Sequence, residues 1–264
     1  MSRPLTSFLL LAFIISWSCY FLVIDGNPGS QAFVLLTMWG PGLAAVLSCL
    51  FFSKPIKQLG LALQKPSYLL AGYCLPLLYA IPVYAAIWLF GIAGLNDGFE
   101  ANYLRLFTIG HLLPILAATG GELGWRGFLY PALAKQKGRF MAALITGIIA
   151  SAWQFPMIIN AVHNGPPVWY VLSCATLTII SLSFLTAWLR DRSGSIWPGV
   201  LLQAAHHFYI PVFLNKLTDP SPNSAYVYGE YGIGLSVATF VIASLLWLKH
   251  EKTLPALNQY SMAR

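Results

Sequence analysis

The sequence predicts an all-α, polytopic membrane helix bundle of about eight transmembrane helices, with both termini cytoplasmic. Three observations carry that reading. Of 264 residues, 58% are hydrophobic and only 9% are charged, whereas a soluble domain carries roughly 25% charged residues. Apolar runs long enough to cross a bilayer, about 20 residues each, recur along the chain. The basic residues fall between those runs and do not cluster on one motif, so the net charge of +7 reads as topology and not as nucleic-acid binding. Residues 1–264 read as a single membrane-embedded domain, with no internal repeat or low-complexity tract.

The spans are drawn at 5–24, 32–52, 68–92, 104–134, 140–160, 168–189, 196–214 and 231–248. The first follows Arg3 and lacks a small-residue cleavage site, so it reads as a retained span and not a signal peptide. The fourth is too long for one straight crossing. It is expected to begin as an interfacial piece near Tyr103 and to kink at Pro114, because proline removes a backbone donor and clashes with the preceding turn. Arg3, Lys54, Lys57, Lys65, Lys135, Lys137, Arg139, Arg190, Arg192, Lys249, Lys252 and Arg264 fall on one side, which is 12 of the 15 basic residues. Asp25, Asp97, Glu100, Asp219 and Glu230 fall on the other, with Arg105 and Lys216. Positive charge favours the cytoplasm, which places both ends inside.

The connections are less informative. Lys54–Pro66 reads either as a short interfacial helix or as a solvated loop. Thr218–Glu230 is rich in Pro, Asn, Ser and Tyr and suggests no chemistry. Cys19, Cys49, Cys74 and Cys174 lie in apolar runs without a C-x-x-C pair, so neither a disulfide framework nor a thiolate metal site is indicated. Trp125, Trp153, Trp169, Trp188 and Trp197 fit interfacial belts or helix packing.

Chemistry-bearing residues inside the apolar runs are few. Glu122 and Arg126 are four apart, share a helix face and can pair. Such a pair either fastens helices or faces a polar cavity. Gln154 reads most simply as an interhelical hydrogen-bonding group. Gln203 and His207 share a face at the same spacing. His206 points about 100° away from His207, a poor arrangement for chelating one ion from a regular helix. His111 and His163 show no sequence partner and read as structural.

Three ordered motifs carry a family resemblance. They are Glu122-Leu-Gly-Trp-Arg-Gly-Phe-Leu-Tyr-Pro131, Trp153-Gln-Phe-Pro156, and Gly194-Ser-Ile-Trp-Pro-Gly-Val-Leu-Leu-Gln-Ala-Ala-His-His207. This pattern resembles the CPBP family, the CAAX-processing and bacteriocin-processing (Abi) intramembrane endopeptidases, with a core over about 100–215. Asn164–Tyr170 and Tyr228–Gly232 resemble one bacterial branch of it. The resemblance implies an all-helical fold and a location in a cell membrane as a multi-pass protein, the bacterial inner membrane in particular. It also implies a membrane peptide or protein as substrate or partner, within the lipid bilayer.

The family pattern places Glu-Glu-x-x-x-Arg on one helix, a histidine on the next motif helix and His-x-x-x-Asn on a later one. Gly121 stands where the first glutamate belongs, Gln154 and Gln203 where histidines belong, and His207 where the asparagine belongs. Glu122, Arg126 and His206 stay in register. Glycine offers no proton acceptor, and a glutamine amide does not titrate near neutral pH, so the family's base is missing. A divalent metal is possible in the family, but its ligands are not kept here, and no cofactor is expected. The reading that follows is a degenerate pseudoprotease that binds a membrane peptide or partner protein. The alternative is an active endopeptidase with a rearranged site built on Glu122, His206 and His207. A small membrane transporter is the second alternative, though paired inverted halves are not apparent.

Overall fold

Long apolar runs with few breakers make long helices, and the computed structural model, which describes residues 2–24, 31–96, 110–161 and 165–261, is built from them. Helix α1 spans Arg3–Ile24, α2 Gln31–Phe51 and α3 Pro66–Leu89. Helix α4, Leu112–Glu122, runs through a π-helical segment, Leu123–Leu129, into α5, Tyr130–Lys137. Helices α6, Arg139–Ala161, and α7, Val168–Ser193, follow. Helix α8, Trp197–Phe208, continues into a second π segment, Tyr209–Leu214, and α9 covers Ile233–Ser261.

Four of the described helical stretches are long and apolar enough to cross a membrane: Arg3–Leu22, Pro66–Leu89, Arg139–Asn160 and Val168–Ser193. This corrects the expectation of about eight transmembrane helices. A run of apolar residues marks hydrophobic length and is blind to where a regular α-helix gives way to a π turn. The fourth expected span passes from α4 through the π segment into α5, and the seventh from the 12-residue α8 into the second π segment. The second and eighth contribute shorter apolar helices, Leu35–Phe51 and Ile233–Lys249. The all-α expectation also needs a small amendment. Strands β1, Gly94–Leu95, and β2, Thr218–Asp219, form a two-residue antiparallel bridge.

The bundle packs α1 on α2, α6 on α7, α7 on α9, and α3 and α4 on α8. One apolar core gathers Phe8, Ala44, Trp125, Phe128, Ala142, Trp153 and Ile196. A second gathers Tyr79, Tyr84, Leu182, Leu185, Leu202 and Leu235. Leu10, Ile14, Leu50, Leu70, Leu78, Ile148 and Leu245 face outward, as lipid contact requires. Hydrogen bonds between helices supply the directionality that apolar packing in lipid lacks. Ser16 Oγ donates to the Thr37 carbonyl at 2.9 Å, Ser183 Oγ to Ala143 at 2.7 Å, and Thr178 Oγ1 to Ser236 Oγ at 2.9 Å.

Two local expectations change. Pro114 lies in the first turn of α4, where its missing N–H leaves no intrahelical bond unmade, so it does not kink the described helix; Tyr103 lies outside the described residues. The Lys54–Pro66 connection is largely exposed, as a solvated loop would be, but it is tied down in its middle. It holds a 3-10 turn over Ile56–Leu59 with Leu59 buried. Arg190 donates to the Gln58 carbonyl at 3.0 Å and Trp197 Nε1 to the Leu61 carbonyl at 2.7 Å.

Candidate active site

The start of the π segment sets the site. A π turn widens the helix and is frequent at functional positions, and here it carries Arg126 while Glu122 ends the α-helix before it. Arg126 Nη1 lies 3.2 Å from Glu122 Oε1, with both side chains about fully buried at 3% and 2% exposure. Glu122 Oε2 and Arg126 Nε have no hydrogen-bond partner among the described residues. Gln203 is a further polar neighbour of the carboxylate. Helix α8 comes this close because position 199 is glycine: a Cβ there would stand 2.5 Å from Glu122 Oε2.

A cavity of about 340 Å³ opens beside the pair. Its wall carries Gly121 and Glu122 from α4, Trp125 from the π segment, Trp153 and Gln154 from α6, and Gln203 and His207 from α8. Gly121, Gln154, Gln203 and His207 therefore line one cavity together with Glu122. Leu35, Met38, Leu113 and Pro114 supply apolar lining. Gly121 is not required by packing. A Cβ at 121 would meet Trp125 at 3.8 Å, whereas one at Gly120 would come within 2.6 Å of Trp39 Cα.

His206 and His207 leave α8 in different directions, and Glu230 joins them. His207 Nδ1 lies 2.8 Å from Glu230 Oε1, and His206 Nε2 lies 3.8 Å from the same oxygen. The two adjacent imidazoles, a poor pair for chelating one ion from α8 alone, are brought to one point by a third group, Glu230, from the connection before α9. His206 is fully buried, and its Nδ1 lies 2.9 Å from Tyr79 Oη. In the sequence Glu230 is an acidic residue of the Thr218–Glu230 connection and lies within Tyr228–Gly232, a segment that carries the family resemblance but assigns Glu230 no role. Its signal was weak: one carboxylate in Tyr228-Gly-Glu-Tyr-Gly232, at the edge of the last apolar run. Tyr79 gave no signal at all.

His111 is not without partners. It is buried, its Nε2 lies 3.1 Å from Tyr73 Oη, and its ring stacks on Phe208 at 3.8 Å between centroids. His163 lies outside the described residues.

The fold and this polar centre define a multi-pass helical membrane protein with a partly polar cavity among its helices. Comparison with known proteins narrows the class. A family model described as Type II CAAX prenyl endopeptidase Rce1-like matches residues 103–209. The chain is also 30% identical over 143 residues to CAAX prenyl protease 2 of Methanococcus maripaludis, covering 52% of this chain and 49% of that protein. The chain thus spans about half the length of the curated relative it matches.

Proposed function

We propose that this chain belongs to the CPBP family and is an intramembrane endopeptidase with a rearranged site, in which His207 is the general base and Glu230 orients it. The observation that carries the reading is the 2.8 Å contact of His207 Nδ1 with Glu230 Oε1 on a ring that also lines the cavity. A histidine whose Nδ1–H is held by a carboxylate presents the Nε2 lone pair to a reactant. In this reading Nε2 takes a proton from water, whose oxygen adds to a peptide carbonyl. The proton then passes to the departing amine as the C–N bond breaks. Gln203 and Gln154 offer amide N–H donors to the carbonyl oxygen, and Glu122 with Arg126 positions the wall they stand on. The similarity to a CAAX prenyl protease supports prenylated, CAAX-like membrane peptides as the substrate class.

A second reading has its own observation. Gly121 leaves open space at the cavity wall where a base would stand, which favours a pseudoprotease that binds a membrane peptide or partner without cutting it. One experiment separates the two. The full chain in liposomes is offered prenylated CAAX-like peptides and membrane-peptide libraries, and products are read by mass spectrometry. Cleavage that falls about 10²-fold or more in His207→Ala supports the rearranged enzyme. Peptide retention without cleavage by the unaltered protein supports the second reading and overturns the first.

A further inference from the structure

Glu230 carries two histidines, and the base needs only one. His206 points its Nε2 toward Glu230 from a fully buried position, and that nitrogen has no hydrogen-bond partner among the described residues. An orphaned buried donor or acceptor is rare enough to call for a missing partner. Its other nitrogen is fixed by Tyr79 Oη at 2.9 Å, an outer contact of the kind that orients a metal-bound imidazole. The donor atoms of His206, His207 and Glu230 all lie within 4.8 Å of one another, the one such cluster among the described residues.

The geometry points to a divalent-cation site of the zinc class formed by His206 Nε2, His207 Nδ1 and Glu230. Two imidazoles and one carboxylate suit zinc, cobalt or nickel, and not the all-oxygen demands of calcium or magnesium. Ligand bonds of 2.0–2.2 Å in a tetrahedron put neighbouring donors roughly 3.4 Å apart. The two donor separations to Glu230, 3.8 Å and 2.8 Å, straddle that value. A small shift of one carboxylate equalises them. Three protein ligands leave a fourth position for water or another donor.

For its consequence this inference rests on the reading of His207 as the base. A cation on Nδ1 occupies the lone pair there, so the ring proton moves to Nε2. The remaining nitrogen of His207 then donates a hydrogen bond where it had accepted a proton. Occupancy of the cluster therefore opposes cleavage.

The test uses the full chain, purified in detergent without a polyhistidine tag and stripped with chelator. Titration with cobalt(II) is followed by its visible absorption bands, and zinc is used as the competitor. The expected result is one cobalt per chain with the intense bands of a tetrahedral site, displaced by zinc. Affinity falls at least 10-fold in Glu230→Gln and in His207→Gln, and about 10-fold or more in Tyr79→Phe. His207 is part-exposed, so its variant keeps the test usable where a His206 change unfolds the protein; thermal midpoints confirm folding. Absent bands, or binding untouched by Glu230→Gln and His207→Gln, overturn the cation site. Because binding is read without substrate, a protein that cleaves but binds no cobalt sinks only this site. One that binds cobalt but never cleaves sinks only the peptidase reading.

Discussion

Removing Arg126 alone should cost far more than removing Arg126 and Glu122 together. The charges stand 3.2 Å apart, which at an effective dielectric constant near 20 corresponds to an attraction of about 5 kcal/mol. Desolvation of two buried ions offsets much of that attraction, so the intact pair adds little net stability. Arg126→Leu leaves the Glu122 carboxylate buried beside Gly199 with its partner gone, at a cost of about 3–5 kcal/mol. In a chain of this size that lowers the thermal midpoint by roughly 6–20 °C. The double variant Glu122→Gln with Arg126→Leu removes both charges and should recover most of the loss. The assay is thermal unfolding in detergent micelles, followed by tryptophan fluorescence. If Arg126→Leu unfolds within about 0.5 kcal/mol of the unaltered protein, or if the double variant is as unstable as the single, the buried-pair reasoning is refuted.

Three further outcomes follow from the same polar centre. Gly199→Ala should destabilise by about 1–3 kcal/mol, because its methyl group would press on Glu122 Oε2 and force the buried pair to shift; Arg126→Leu with Glu122→Ala in the same background should relieve it. Gly121→Ala should instead stabilise α4 by up to about 1 kcal/mol, since only Trp125 stands nearby, at ordinary contact distance; a lowered midpoint would contradict the open space assigned there. Glu230→Gln, which keeps a hydrogen-bonding group but removes the charge opposite His207, should slow peptide cleavage about 10-fold or more while leaving peptide retention unchanged, as read by initial rates against bound fraction.

How much of this was legible in the chain follows from what each signal depends on. Helices α1, α3, α6 and α7 were read nearly to their ends, because uninterrupted apolar runs report their own length. Gly121, Gln154, Gln203 and His207 were named by the resemblance, but that they line one cavity is a finding of the structure, since the order of motifs along a chain does not fix where they meet. The count of crossings was not legible either. The π segments at Leu123–Leu129 and Tyr209–Leu214 leave the hydrophobic pattern unchanged while altering the helix. The tie between Gln58, Leu61, Arg190 and Trp197 was hidden because it uses backbone carbonyls, which every residue has. The roles of Glu230 and Tyr79 were missed for a related reason: each reaches α8 across more than twenty residues of chain, and neither has a spacing to the histidines that marks a contact.

On the proposed reading the base has a single displaced position in the cavity. The pattern of the family this sequence resembles would place a proton acceptor at 121 and 154, where this sequence has Gly121 and Gln154. It carries instead an imidazole at 207 on α8, held from behind by Glu230. If the base has moved, the importance of Glu230 should depend on which wall carries it. In the unaltered protein Glu230→Gln should slow cleavage. In a variant carrying Gly121→Glu, Gln154→His, Gln203→His and His207→Asn, no imidazole remains at 207 for Glu230 to orient, and the same change should leave cleavage unaltered. A Glu230→Gln effect of equal size in both backgrounds would mean that the carboxylate supports the connection before α9 and not a base. Activity confined to the quadruple variant would mean that the cavity persisted while its chemistry lapsed.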